Sequence, residues 1–127
     1  MARGRDAGFK PLTVAVLDDG GHIKALLRDD GSSLLRERIA VAKAYGALGM
    51  GRSTRALADM GSERPLFVQS LTVLAEGKLV PVPGGVLIKD ANGELLGAVG
   101  VTGDTSDNDE DSAVHGIESV GLVADAD

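Results

Sequence analysis

The chain has 127 residues, 43% hydrophobic and 25% charged, with a formal net charge of -6. That length suits one domain around a single core. The acidity and the scarcity of aromatic side chains (Phe9, Tyr45 and Phe67) argue against nucleic acid as a partner, and the absence of cysteine excludes disulfides, thiolate metal sites and a cysteine nucleophile.

No apolar run approaches the roughly 20 residues that cross a bilayer, and Met1 to Gly8 carries charge without the apolar stretch of a secretory signal. A cytoplasmic protein without membrane contact is expected. Ala2 to Gly8 reads as the end of a helix, stopped by Gly8 with Pro11 beyond it. So short a helix is marginal alone, which suggests a longer natural element. Leu12 to Leu17 is rich in β-formers, and Asp18-Asp19-Gly20-Gly21 supplies hairpin turn residues before a second strand, His22 to Leu27. After Asp29-Asp30-Gly31, Ser32 or Ser33 is placed to cap a helix whose apolar residues Leu35, Ile39, Ala42 and Tyr45 follow helical spacing, thinned out at Gly46, Gly49 and Gly51.

Two shorter helices are predicted, Thr54 to Met60 and Pro65 to Ala75, the second with proline at its start. Leu79 to Pro83 is read as a return to β structure leading through Gly84-Gly85 to Val86 to Lys89, and Asn92-Gly93 turns that strand into Leu95 to Thr102. A last helix, Ser106 to Leu122, opens with carboxylates that suit the positive end of its dipole. Ala124 to Asp127 is expected to fray. Hairpins in place of βαβ crossovers predict an α/β (α+β) single domain: an antiparallel sheet of about five strands flanked by helices.

Few groups invite chemistry. Gly97, Gly100 and Gly103 precede a helix but match neither phosphate-loop pattern, and the acids that follow would oppose an anion, so they read as packing glycines. Asp107, Asp109 and Asp111 alternate as in a calcium loop, with Glu118 at the closing position, yet Ser112 stands where the loop needs glycine. The two histidines are the only imidazoles for base or metal-ligand roles: His22 beside the first hairpin turn, and His115 on the last helix near Asp111 and Glu118. No Gly-x-Ser-x-Gly or His-Glu-x-x-His pattern occurs. Arg28, Asp29, Asp30, Lys43 and Arg52 could come together round one pocket for a carboxylate-bearing ligand, or remain a solvated surface.

These blocks resemble the GlcG/HbpS family, also described as the haem-degrading-type domain. The resemblance rests on Thr13-Val-Ala-Val-Leu-Asp-Asp-Gly-Gly-His22, Leu27-Arg-Asp-Asp-Gly31, Ile39-Ala-Val-Ala-Lys-Ala-Tyr45, Gly51-Arg-Ser-Thr-Arg-Ala-Leu57, Pro83-Gly-Gly-Val86 and Gly97-Ala-Val-Gly-Val-Thr-Gly103. It implies a profilin-like domain that self-associates, from dimer to octamer, with haem as the cofactor it suggests and some members acting beside a corrinoid-handling domain. Three departures are visible: a short first helix without histidine, Ser53 where proline is common, and Leu87 where proline often follows Gly-Gly-Val.

The leading expectation is therefore an oligomeric small-ligand-binding protein for haem or another tetrapyrrole. Its ligand-binding residues would be Arg28, Asp29, Lys43, Arg52, Gly84 and Gly85, with His22 and His115 as candidates for the iron. The alternative is a cofactor-independent lyase, isomerase or hydrolase for a small carboxylated metabolite, with Asp30 or His22 as base and Arg28 or Arg52 holding the carboxylate. A third is a non-catalytic assembly partner that associates through Pro65 to Ala75.

Overall fold

Asp18 Oδ1 accepts the backbone N–H groups of Gly20 and His22, closing the turn that joins β1 (Thr13–Asp18) to β2 (Ile23–Arg28). Asp90 Oδ1 does the same for Asn92 and Glu94 between β3 (Gly85–Lys89) and β4 (Leu95–Thr102). In this computed structural model, which describes residues 1–127, the two predicted hairpins are thus built on the same side-chain device. With β5 (Val123–Asp125) they form one antiparallel sheet in the order β2-β1-β4-β3-β5.

Strand alternation gives the sheet two faces. Leu17, Leu87 and Ala98 pack on Ala44 and Ala47 of α2 (Arg36–Met50). Val86, Ile88, Val99 and Val101 face the other way, against Ala113 and Ile117 of α5 (Ser106–Ser119). α1 (Ala2–Ala7) lies beside α5, and α3 (Thr54–Glu63) with α4 (Pro65–Leu74) closes a smaller cluster of Leu57, Val68 and Leu79.

The glycines of β4 determine how near α2 comes. A Cβ at Gly100 would collide with the carbonyl oxygen of Ala40 and lie 2.9 Å from the amide nitrogen of Ala44. Because α2 presents alanines to this stripe, helix and sheet backbones pack against one another with little side-chain volume between them.

Several expectations need correction. Leu79 to Pro83 is irregular: prolines at 81 and 83 cannot donate to a ladder. The fifth strand is instead Val123–Asp125, pairing with Leu87, Ile88 and Lys89, so the tail expected to fray is held in the sheet. Neither Ser32 nor Ser33 caps α2, which starts at Arg36 with Leu35 in the cap position and no side-chain cap. α5 stops at Ser119, three residues early, at a turn made by Gly121 with φ +80°.

Candidate functional site

The most unusual polar group lies inside the molecule. Lys43 occurs on the α2 face that also carries Ala40, Ala44 and Ala47, so its chain runs over the sheet and only 2% of it is exposed. Its Nζ donates to Val101 O at 2.9 Å and to Asp109 Oδ2 at 3.2 Å. The Asp109 side chain is equally buried, and its Oδ1 accepts the backbone N–H of Asp104 at 2.9 Å. Desolvation pushes the Lys43 ammonium pKa down and the Asp109 carboxyl pKa up, while their attraction opposes both shifts. The pair links α2 on one sheet face to the first turn of α5 on the other.

Gly84 and Gly85 form the cover of this pair. Gly84 has φ +127°, and a Cβ there would lie 2.7 Å from Lys43 Nζ and 2.6 Å from Val101 O. Gly85 N–H donates to Thr54 Oγ1 at 2.7 Å, and a Cβ at Gly85 would collide with the Lys43 carbonyl. Lys43, Gly84 and Gly85 lie together, but around a buried ion pair and not around an open pocket.

The remaining candidates lie elsewhere. Arg28, Asp29 and Asp30 line an open hollow of about 480 Å³ with Arg5, Phe9 and Pro11, and neither Lys43 nor Arg52 joins them. Within it, Asp29 accepts from Leu12 N–H and from Arg5, contacts that lower its pKa in that order. Arg28 sits 3.6 Å from Glu37, and Asp30 is exposed. His22 is exposed at the β1–β2 turn, with Nδ1 3.4 Å from Asp18, and His115 is exposed on α5. Arg52 is exposed just beyond α2; the Asp125 carboxyl, whose pKa is lowered chiefly by the hydrogen bond from Lys89, feels its charge only as a minor contribution.

The acidic stretch that resembles a calcium loop is distributed among different partners. Asp107 and Glu110 pair with Arg55, Asp109 with Lys43, and Asp111 with Arg3. No three of the chain's histidine, aspartate and glutamate side chains are grouped so as to hold a metal ion. No helix is long and apolar enough to cross a membrane.

Sequence reasoning missed the largest hollow. About 650 Å³ lies between β2 and the N-terminal half of α2, with Leu26, Leu35, Ile39 and Val80 on its walls and Arg38 and Lys78 among its charged residues. Nothing in the sequence signalled it, since Leu26 and Leu35 read as ordinary strand and helix positions and are left exposed only by the fold.

A five-stranded antiparallel sheet with helices on both faces, joined by one buried ion pair and bordered by open hollows, is an α+β domain of profilin-like class. The chain belongs to the HbpS-like family: the model described as "Haem degrading protein HbpS-like" matches residues 1–118. Among solved structures it is similar to PduOC in a haem complex, at 25% identity with a TM-score of 0.85, covering 95% of this chain and 86% of that one. It is similar to HbpS at 26% identity and a TM-score of 0.79, covering 94% and 80%. Protein ORFY of Klebsiella pneumoniae, at 22% identity, a TM-score of 0.81 and coverage of 92% and 79%, shares the fold. No protein of curated function matches the chain.

Proposed function

We propose that this chain is a cytoplasmic, self-associating small-ligand-binding protein whose ligand is haem or a related tetrapyrrole. The observation that carries the reading is family membership together with the likeness to PduOC, whose structure is a haem complex. The hollow between β2 and α2 supports it chemically. Its volume falls in the range of small-molecule sites. Leu26, Leu35, Ile39 and Val80 suit the faces of a macrocycle, and Arg38 and Lys78 suit its carboxylates. His22 and His115 do not line this hollow, so the macrocycle is held there by its faces and carboxylates.

Hemin titration followed by absorbance tests the proposal, with the Arg38→Ala/Lys78→Ala double variant, His22→Ala and His115→Ala in parallel. Saturable binding weakened at least about tenfold in the double variant supports it, since each charge-assisted hydrogen bond is worth about 1.5–3 kcal/mol. Loss of the Soret shift in one histidine variant would identify an iron ligand and place the haem outside this hollow. Weak, unsaturable binding in every protein would overturn the proposal.

One observation favours the enzyme reading: Arg28, Arg5 and Asp30 line a common hollow, placing cations for a carboxylate beside a candidate base. Turnover of a small carboxylated metabolite that Asp30→Asn abolishes would establish it.

A further inference from the structure

The sheet face beneath α5 also leaves a space unfilled. Between α5 and the strands lies a cleft of about 300 Å³, and ten of its twelve lining residues are hydrophobic. Val14, Val16 and Val99 form its sheet wall, and Ile117 and Val120 belong to the opposite wall. No charged side chain lines it, which separates it from the hollow proposed for a tetrapyrrole.

Two residues of α5 bear on the use of this space. Gly116 stands inside the helix at an exposed position on the mouth of the cleft, where glycine is less stable than alanine. Nothing in the packing demands it: its φ is not positive, and a Cβ there would meet no atom within 4 Å. Gly46 of α2 differs, since a Cβ there would lie 3.1 Å from the Cα of Leu79. The second residue is Ser112, one turn earlier on the same lining. It is 5% exposed, and its hydroxyl has no hydrogen-bond partner. A buried hydroxyl left unpaired is costly, and an alanine would be the better helix former at a wholly apolar wall.

We propose that the cleft is a binding site for a small apolar molecule with one hydrogen-bonding group, held between α5 and the sheet with Ser112 as its polar contact. The volume sets the size. An apolar cavity of about 150 Å³ accommodates benzene, so about twice that volume suits two fused rings or an alkyl chain of similar bulk. Gly116 keeps the space open, and Ser112 distinguishes a molecule carrying a hydroxyl or carbonyl from a plain hydrocarbon. The proposal stands apart from the tetrapyrrole reading, because the cleft has less than half the volume of the other hollow and no charged side chain.

The test is titration with 2-naphthol and with naphthalene, read by probe fluorescence, which a chain without tryptophan does not obscure. The expected result is saturable binding of 2-naphthol at one per chain, weakened at least tenfold by Gly116→Leu with the thermal midpoint kept or raised. Ser112→Ala is expected to weaken 2-naphthol several-fold more than naphthalene. Val120→Phe, at the exposed rim, is the second filling variant should Gly116→Leu fail to fold. Hemin binding unchanged in the filling variants would support two separate sites. Absence of saturable 2-naphthol binding, or binding unaltered by both filling variants, would overturn the proposal. So would a filling variant that changes the sedimenting mass, since the cleft would then belong to a contact between copies.

Discussion

Replacing either member of the buried Lys43–Asp109 pair should cost far more than replacing both. The charges are 3.2 Å apart, and with an effective dielectric of about 20 their attraction is on the order of 5 kcal/mol. Removing two such ions from water costs several kcal/mol each, so the intact pair adds little net stability. Asp109→Asn leaves an uncompensated ammonium under Gly84, and Lys43→Met leaves an uncompensated carboxylate at the start of α5. Each is expected to lose about 3–5 kcal/mol. The double variant is expected to lie within about 1 kcal/mol of the parent, because methionine fills the apolar course of the lysine chain and the introduced amide oxygen still accepts from Asp104 N–H. Urea unfolding at pH 7 reads this directly. With a slope near 2 kcal/mol per molar, the single variants should unfold about 2 M earlier and the double variant near the parent midpoint. Losses that add, with a coupling below about 0.5 kcal/mol, would refute the argument.

Gly100→Ala should destabilise by about 2–3 kcal/mol, lowering the thermal midpoint by on the order of 10 °C, because its Cβ meets the Ala40 carbonyl; a midpoint within about 2 °C of the parent would mean that α2 is not seated as described. The Asp104 carboxyl is held down to about 2 by the N–H of Lys10, by Asn108 and by Thr105 N–H, against 3.8 when free. Its stabilisation is therefore fully present above about pH 4 and is lost as pH falls toward 2, and Asp104→Asn should flatten the change in urea midpoint between pH 5 and pH 2.5. Val73 and Leu74 of α4 are exposed on a helix that carries no charge, so Val73→Glu with Leu74→Glu should leave the monomer's stability within about 0.5 kcal/mol per site. The same pair should reduce the mass seen in sedimentation if α4 is the self-association surface.

The hairpins and helices were legible because their signals are local: Asp18 and Asp90 organise their turns within four residues, and Pro65 starts α4. β5 was not, because a three-residue strand has too little alternation and exists only through β3, far away in the chain. Lys43 could be picked out, but its direction depends on tertiary structure: its neighbours Ala40, Ala44 and Ala47 mark the inward face, and a long ammonium chain there needs a partner that sequence does not single out. Asp109 is one of five carboxylates between residues 104 and 111. Only the approach of α2 distinguishes it. The two apolar hollows beside α2 and α5 escaped notice because they are spaces between elements, and no residue type announces an empty volume.

The contrast between the two sheet faces sets where this chain can change. Under α2, glycine meets alanine at backbone distance, and the smallest enlargement is refused by atoms that cannot move aside. Under α5, Gly116 has room and the apolar walls leave a gap, so side chains that line the cleft can grow into it without unseating a helix. Descendants of this sequence should therefore accept larger residues along the α5 cleft while the glycine stripe beneath α2 stays frozen. New binding specificities can be tried around the hollows while that stripe keeps the molecule folded.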